Sequence, residues 1–286
     1  MPYTVAVSFD QFLDKISISG DQHSIAIARR DRVVSLLENT FTIVEAFPTG
    51  SIPKRTAVKG SDLDVIVVLH YSKHIKGKTP TEVLASVQAA LTKYRTGVRR
   101  NGQAVTLYYD TWPNVDIVPV SRTDDGSNVL HYNVPDMNQG IWLSSKPKRH
   151  AQNIAERVRT FGPEFRRVIR IIKWWNQQHS SYLQSYHLEV MALSSLNGSF
   201  DSYPWAVFTV FDRACELVKS PLSYEGSYVD GYLTQSDRAE ALKRLETARD
   251  KSRDAWYATH GSNDDHKKAI ELWRQIFGDR FPSYGS

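Results

Sequence analysis

Cysteine is almost absent: Cys215, in VFDRACELV, is the only one among 286 residues. A single thiol can neither close an internal disulfide nor, with the nearby histidines, build a zinc cluster, so we read Cys215 as a small buried apolar residue. Long apolar runs are also missing. Those present are short and end in His, Lys or Asp, which excludes a membrane-spanning helix. The N-terminus shows no basic region followed by an apolar core, so no secretory signal is expected and the location reads as cytoplasmic. Internal repeats and low-complexity tracts are absent as well. What remains is a chain with 41% hydrophobic residues, enough for a real core, and a net charge of +5 that suits a polyanionic partner such as a nucleotide, RNA or an acidic surface.

The periodicity divides the chain. Residues 24 to 39 put Ile25, Ala28, Val33, Leu36 and Leu37 near helical spacing, which predicts a long amphipathic helix opening the fold and bracing two lobes. The segments 41 to 47, 63 to 69, 103 to 110 and 115 to 120 read as strands, with a helix over 79 to 94. The TWPN turn before Val115 predicts that the last two strands form a hairpin. After about residue 145 the period becomes helical, over 149 to 160, 163 to 178, 185 to 197, 203 to 219 and 235 to 258. The expected fold is α+β: an N-terminal lobe over 1–145 with a mixed sheet, and a helical lobe over 146–286.

Chemistry concentrates in GSIPKRTAVKGSDLDVIVVL, residues 50 to 69. Side chains two apart on a strand share a face, so Asp62 and Asp64 project together. Asp116, in NVDIVPV, joins the same edge if its strand neighbours theirs. Three carboxylates at close range each raise the others' pKa and call for a cation. Hard oxygen ligands without His or Cys select Mg²⁺, with Mn²⁺ as a substitute. Upstream, Ser51 fits the N-cap of a short helix with Pro53 in its first turn, and Gly50 lets backbone approach an anion closely. A phosphate cradle facing carboxylate-held metals describes a nucleoside triphosphate site, where two ions would stabilise the attacking and leaving oxygens. Each motif alone is weak; their order and spacing are what point to function.

In EFRRVIRIIKWWNQQ, Phe165, Val168, Ile169, Ile172 and Trp175 share one face while Arg166, Arg170, Lys173 and Gln177 form a basic stripe. SYHLEV opens another helix, with Ser185 read as its N-cap and Glu189 complementing the dipole. His187, Trp174 and Trp175 are read as packing residues, and KRLETARDKSRDAW as a solvated helix.

These motifs resemble the polymerase-β-like nucleotidyltransferases. Within them the chain is most similar to the bacterial cGAS/DncV-like enzymes, relatives of oligoadenylate synthases that make cyclic oligonucleotides in anti-phage signalling. The resemblance rests on GSIPKRTAVKGSDLDV, VDIVPV, IIKWWNQQH with LQSYHLEVMAL, and LWRQIFGDRFP. It implies an active-site cleft between the lobes, two Mg²⁺ ions on Asp62, Asp64 and Asp116, and triphosphate contacts from Ser51, Lys173 and Ser185. It further implies that Tyr186 stacks on a base, an arrangement that tolerates different bases. Many relatives carry Arg-Gly-Thr where this chain has Lys54-Arg55-Thr56. A monomer is expected, along with a downstream effector that reads the product and an accessory protein acting on the tail FPSYGS. Zinc-dependent DNA binding of the vertebrate kind is not expected of a chain with one cysteine. Two other readings stay open: a nucleotidyltransferase acting on RNA ends or a small molecule, disfavoured by chain length, and a non-catalytic basic module binding NTP or RNA through salt-sensitive contacts.

Overall fold

The computed structural model describes residues 4–123 and 131–285. The elements run α1 (Val5–Ile16), α2 (Gly20–Glu38), β1 (Ile43–Thr49), β2 (Leu63–Leu69), α3 (Tyr71–His74), α4 (Pro80–Thr92), β3 (Val98–Asn101), β4 (Ala104–Leu107), β5 (Val115–Thr123), β6 (His131–Asp136) and β7 (Ile141–Ser145). They continue as α5 (Pro147–Phe161), α6 (Glu164–Gln178), α7 (Ser185–Ser195), α8 (Tyr203–Leu217), β8 (Ser223–Tyr224), β9 (Ser227–Tyr228), α9 (Gln235–Tyr257) and α10 (His266–Phe277). The fold is α+β in two compact units, Ile18–Asn153 and Met1–Ser17 with Ile154–Ser286. Among the described residues no helix is long and apolar enough to cross a membrane. Ser286, the last residue of the tail expected to meet an accessory protein, lies outside the described residues.

The sheet unit is ordered β1-β2-β5-β4-β3, with β6 and β7 continuing from β5. β1 and β4 run antiparallel to their neighbours, whereas β2 and β5 are parallel, so the sheet is mixed. β2 lies between two strands and Val65 to Leu69 are all buried, which explains its unbroken apolar run where a half-exposed strand would alternate. Two helices in this unit start at sequence-encoded caps. Ser19 and Gln22 form a capping box at α2, and Thr79 and Glu82 form one at α4, whose first residue is Pro80. The hairpin expected before Val115 is present as β4 and β5.

The helical unit differs from the expected division in two respects. α1, which no periodicity reading singled out, belongs to it and is separate from α2. The reason is aromatic: Phe9 meets Trp273 at 5.1 Å and Phe281 at 5.2 Å, and Phe12 stacks on Phe277 at 4.9 Å. Phe9 and Phe12 are fully buried, so each contributes about 2 kcal/mol or more by leaving water. The opening is thus made by two helices, α1 with the helical unit and α2 with the sheet unit. The division falls at Asn153/Ile154, inside α5 and not at 145/146. The five helices expected after residue 145 are all present, and α10 adds a sixth.

Candidate active site

Strand register places the carboxylates. In the parallel pair β2·β5, Asp64 is the partner of Asp116 and Leu63 of Val115. Asp62 stands one residue before β2, so it approaches from the entering loop and not, as the strand reading expected, from within the strand. It is exposed, while Asp64 and Asp116 are half-buried.

Each outer carboxylate has a neutral hydrogen-bond donor. Asn114 Nδ2 donates to Asp62 Oδ1 at 3.2 Å. Thr106 lies opposite Asp116 on β4, and its Oγ1 donates to Asp116 Oδ1 at 2.5 Å. Burial raises the pKa of Asp116; the Thr106 hydrogen bond lowers it, and the Asp62 charge raises it further. Desolvation also raises Asp62, opposed by the Asn114 hydrogen bond. A site that penalises its own carboxylates has the electrostatics of a cation site, and its donors are hard oxygens. Among the described residues, however, no three His, Cys, Asp or Glu side chains converge into a preassembled cage. The aspartates share an edge that fits divalent ions but do not meet at a point.

Gly50 follows β1, whose last residue Thr49 pairs with Asp64. Its φ is +70°, and a Cβ there would overlap Asp64 Oδ2 and stand 2.7 Å from Cγ. Glycine is required twice, for the backbone and for the carboxylate beside it. The short helix expected after Ser51 is not formed. Residues 51–55 make turns instead, with Arg55 N donating to Ile52 O and Thr56 N to Ser51 O, both at 3.0 Å. The reason is visible at Arg55, whose φ of 57° leaves the right-handed helical region.

In the helical unit Lys173 is not on a solvated stripe. It is 3% exposed, and its Nζ lies 2.5 Å from Glu189 Oε1. α6 buries Ile171, Ile172, Trp174, Trp175 and Asn176 around it, so the helix is enclosed on nearly every side there. The neighbouring Arg170 is also partly covered, its Nη1 donating to Ser17 Oγ at 2.8 Å. Ser185 is the first residue of α7 and exposed; the N-cap is Gln184, with no side-chain cap bond. Tyr186 is 40% exposed and meets Tyr224 edge-on at 6.1 Å. His187 is fully buried, bonds Tyr232 Oη through Nδ1 at 3.0 Å, and burial lowers its pKa to about 4. Trp174 Nε1 donates to Phe277 O, and Trp175 packs against Phe211.

Sequence reasoning missed Thr106 and Asn114 and misplaced Glu189, which lies beyond the first turn of α7 and pairs with Lys173 instead of complementing the helix dipole. Thr106 and Asn114 are ordinary strand and turn residues whose role appears only with register. Glu189 did leave a signal: a carboxylate inside an apolar helix, flanked by Leu188 and Val190, needs a buried partner.

Three relatives frame the geometry. A probable cyclic nucleotide synthase of Bacillus cereus (strain VD146) is 25% identical, covering 99% of each chain. The cyclic AMP-AMP-AMP synthase of Acinetobacter sp. is 24% identical over 85% of this chain and 74% of its own. E. coli MS115-1 CdnC, 19% identical in its structure with ATP, superposes with a TM-score of 0.79 over 99% of this chain and 100% of its own. CdnC was also solved in a HORMA-deltaN complex, at TM-score 0.77 and 20% identity over 97% of this chain and 98% of that one. The fold is therefore the polymerase-β-like nucleotidyltransferase fold of these synthases. Because residues 3–157 match it, the chain belongs to the Second Messenger Oligonucleotide or Dinucleotide Synthetase domain family, nucleotidyltransferases that build second messengers from nucleoside triphosphates.

Proposed function

We propose that this enzyme joins nucleoside triphosphates into a cyclic di- or trinucleotide, releasing pyrophosphate at each transfer. The observation that carries the reading is the Asp64–Asp116 register pair, with Asp62 entering beside it and Gly50 against Asp64. Asp62, Asp64 and Asp116 would hold two Mg²⁺ ions, or Mn²⁺ in their place. Bound there, such ions neutralise the triphosphate and acidify the acceptor hydroxyl.

The chain's own groups do the rest. Thr106 fixes Asp116 Oδ1, which leaves Oδ2 to take the acceptor proton. The acceptor oxygen forms a bond to the α-phosphorus as the bond to pyrophosphate breaks. The last transfer, within the linear intermediate, closes the ring. Gly50 and Ser51 present turn backbone and a hydroxyl to the donor phosphates. We assign Ser185 a further phosphate contact and Tyr186, exposed at the start of α7, the role of a base platform. Lys173 contributes positive charge to the phosphates in this reading by exchanging from Glu189.

The proposal extends to a biological setting. We place the chain in the cytoplasm, in anti-phage signalling, with a downstream effector reading its product. The HORMA-deltaN complex of CdnC supports an accessory regulatory protein here as well.

The experiment incubates purified protein with ATP, GTP, CTP and UTP and either Mg²⁺ or Mn²⁺, then resolves phosphatase-resistant products by mass spectrometry. Cyclic products from the wild type, lost in Asp62→Asn and Asp64→Asn proteins that still melt cooperatively, are expected. Equal yields from those variants would remove the site assignment.

A further inference from the structure

Asn114 stands immediately before β5, and its carbonyl and both side-chain amide atoms act on the aspartate edge or on the turn that leads into it. Its carbonyl accepts from Leu63 N at 3.0 Å, the residue between Asp62 and Asp64. Its Oδ1 accepts from Tyr109 N at 3.1 Å, and its Nδ2 donates to Asp62 Oδ1 at 3.2 Å. The amide orientation is fixed by these partners, because a backbone N–H can only donate and an ionised carboxylate can only accept.

The turn that presents Asn114 is itself clamped. Arg29 Nη1 donates to Thr111 O at 2.7 Å and Pro113 O at 2.5 Å, and Trp112 Nε1 donates to Ser61 O at 2.8 Å. The guanidinium carbons of Arg29 and Arg95 lie 4.0 and 3.9 Å from the Tyr109 ring centre. Asp64 and Asp116 are aimed by strand register, and Asp116 is also held by Thr106. Asp62 lies outside β2 and is exposed, so a side-chain hydrogen bond must do for it what the ladder does for the others.

We propose that Asn114 is a positioning residue for the synthase reaction, restricting the Asp62 carboxylate to the edge it shares with Asp64 and Asp116, from which it would join them on a divalent cation. The inference rests on the reading of Asp62 as a metal-holding residue. Hydrogen-bond partners of metal-binding side chains orient them and typically change metal affinity by about 10–100-fold when lost.

The test measures Mn²⁺ binding to the nucleotide-free protein by electron paramagnetic resonance of the free ion, alongside thermal melting. Asn114→Ala is expected to weaken Mn²⁺ binding about tenfold. In turnover assays it raises the metal concentration for half-maximal rate, while KM for NTP at saturating metal stays near wild type. Asn114→Ser replaces it if the alanine protein melts below the assay temperature. Arg29→Gln loosens the same turn without touching Asp62, so it should lower Tm and weaken Mn²⁺ binding clearly less than Asn114→Ala does. Unchanged Mn²⁺ binding in the Asn114 variants, or equal weakening by Arg29→Gln, overturns the proposal. If Asp62→Asn also binds Mn²⁺ like the wild type, the failure lies in the assignment of Asp62 itself.

Discussion

The backbone of Gly50 and the carboxylate of Asp64 are packed so closely that no side chain fits between them: a Cβ on Gly50 would overlap Asp64 Oδ2. The turn after β1 and the aspartate on β2 are therefore one unit, and changes to either report on both.

Gly50→Ala should cost at least about 1 kcal/mol from its positive φ alone, with the clash against Asp64 added to that. Activity should fall by about 100-fold or more as the carboxylate is displaced. Combining it with Asp64→Ala removes the clash, so part of the Tm returns while activity does not. Melting curves and product yields on the three proteins check this; full activity in Gly50→Ala would contradict the packing.

Asp116→Asn should stabilise the metal-free protein while abolishing turnover. The folded pKa of Asp116 is raised, so the folded state favours the protonated form. Stability linked to this group is fully present below the unfolded pKa and is lost as pH rises through the raised folded value. The variant, neutral throughout, escapes that loss. Its Tm advantage over wild type should be largest near pH 7–8 and vanish toward about pH 4, where an ordinary aspartate begins to protonate. Adding Mg²⁺ should narrow the gap from the wild-type side.

Arg55→Gly should raise stability. A non-glycine residue in the left-handed region costs about 1 kcal/mol or more, and Arg55 has φ 57°. The gain is offset in part by the greater freedom of glycine in the unfolded chain, so an increase of a few tenths to about 1 kcal/mol is expected in denaturant titration. A drop in stability would mean that the arginine side chain contributes more than its backbone conformation costs.

Lys173→Met and Glu189→Gln should each destabilise by about 3 kcal/mol, because each removes one charge of a buried pair whose side chains are 3% and 1% exposed. The double variant Lys173→Met/Glu189→Gln should be far more stable than the sum of the single losses predicts. Additive losses in urea titrations would show that the two residues do not act as a pair. If Lys173 serves the phosphates by exchange, the stable double variant should also show a raised KM for NTP.

The sequence alone determined the composition-level facts and the motif order. The capping boxes at Ser19 and Thr79, the span of β2 at residues 63–69 and the helical second half follow from local rules of period and capping. The site was legible to the extent that its residues announce their chemistry: three aspartates opening two strands and a Gly-Ser turn. What tertiary structure alone decided is where those residues meet. Register between β2 and β5 made Asp64 and Asp116 partners, and their separation in sequence meant that no local pattern could specify it. α1 joined the helical unit because Phe9 and Phe12 found Trp273, Phe277 and Phe281, more than two hundred residues away in the chain. Lys173 left the surface stripe that its helical phase predicts because α6 is packed on nearly every side and Glu189 supplies the opposite charge. Periodicity tells a chain which side of an element is apolar; only packing decides how many of its sides are covered.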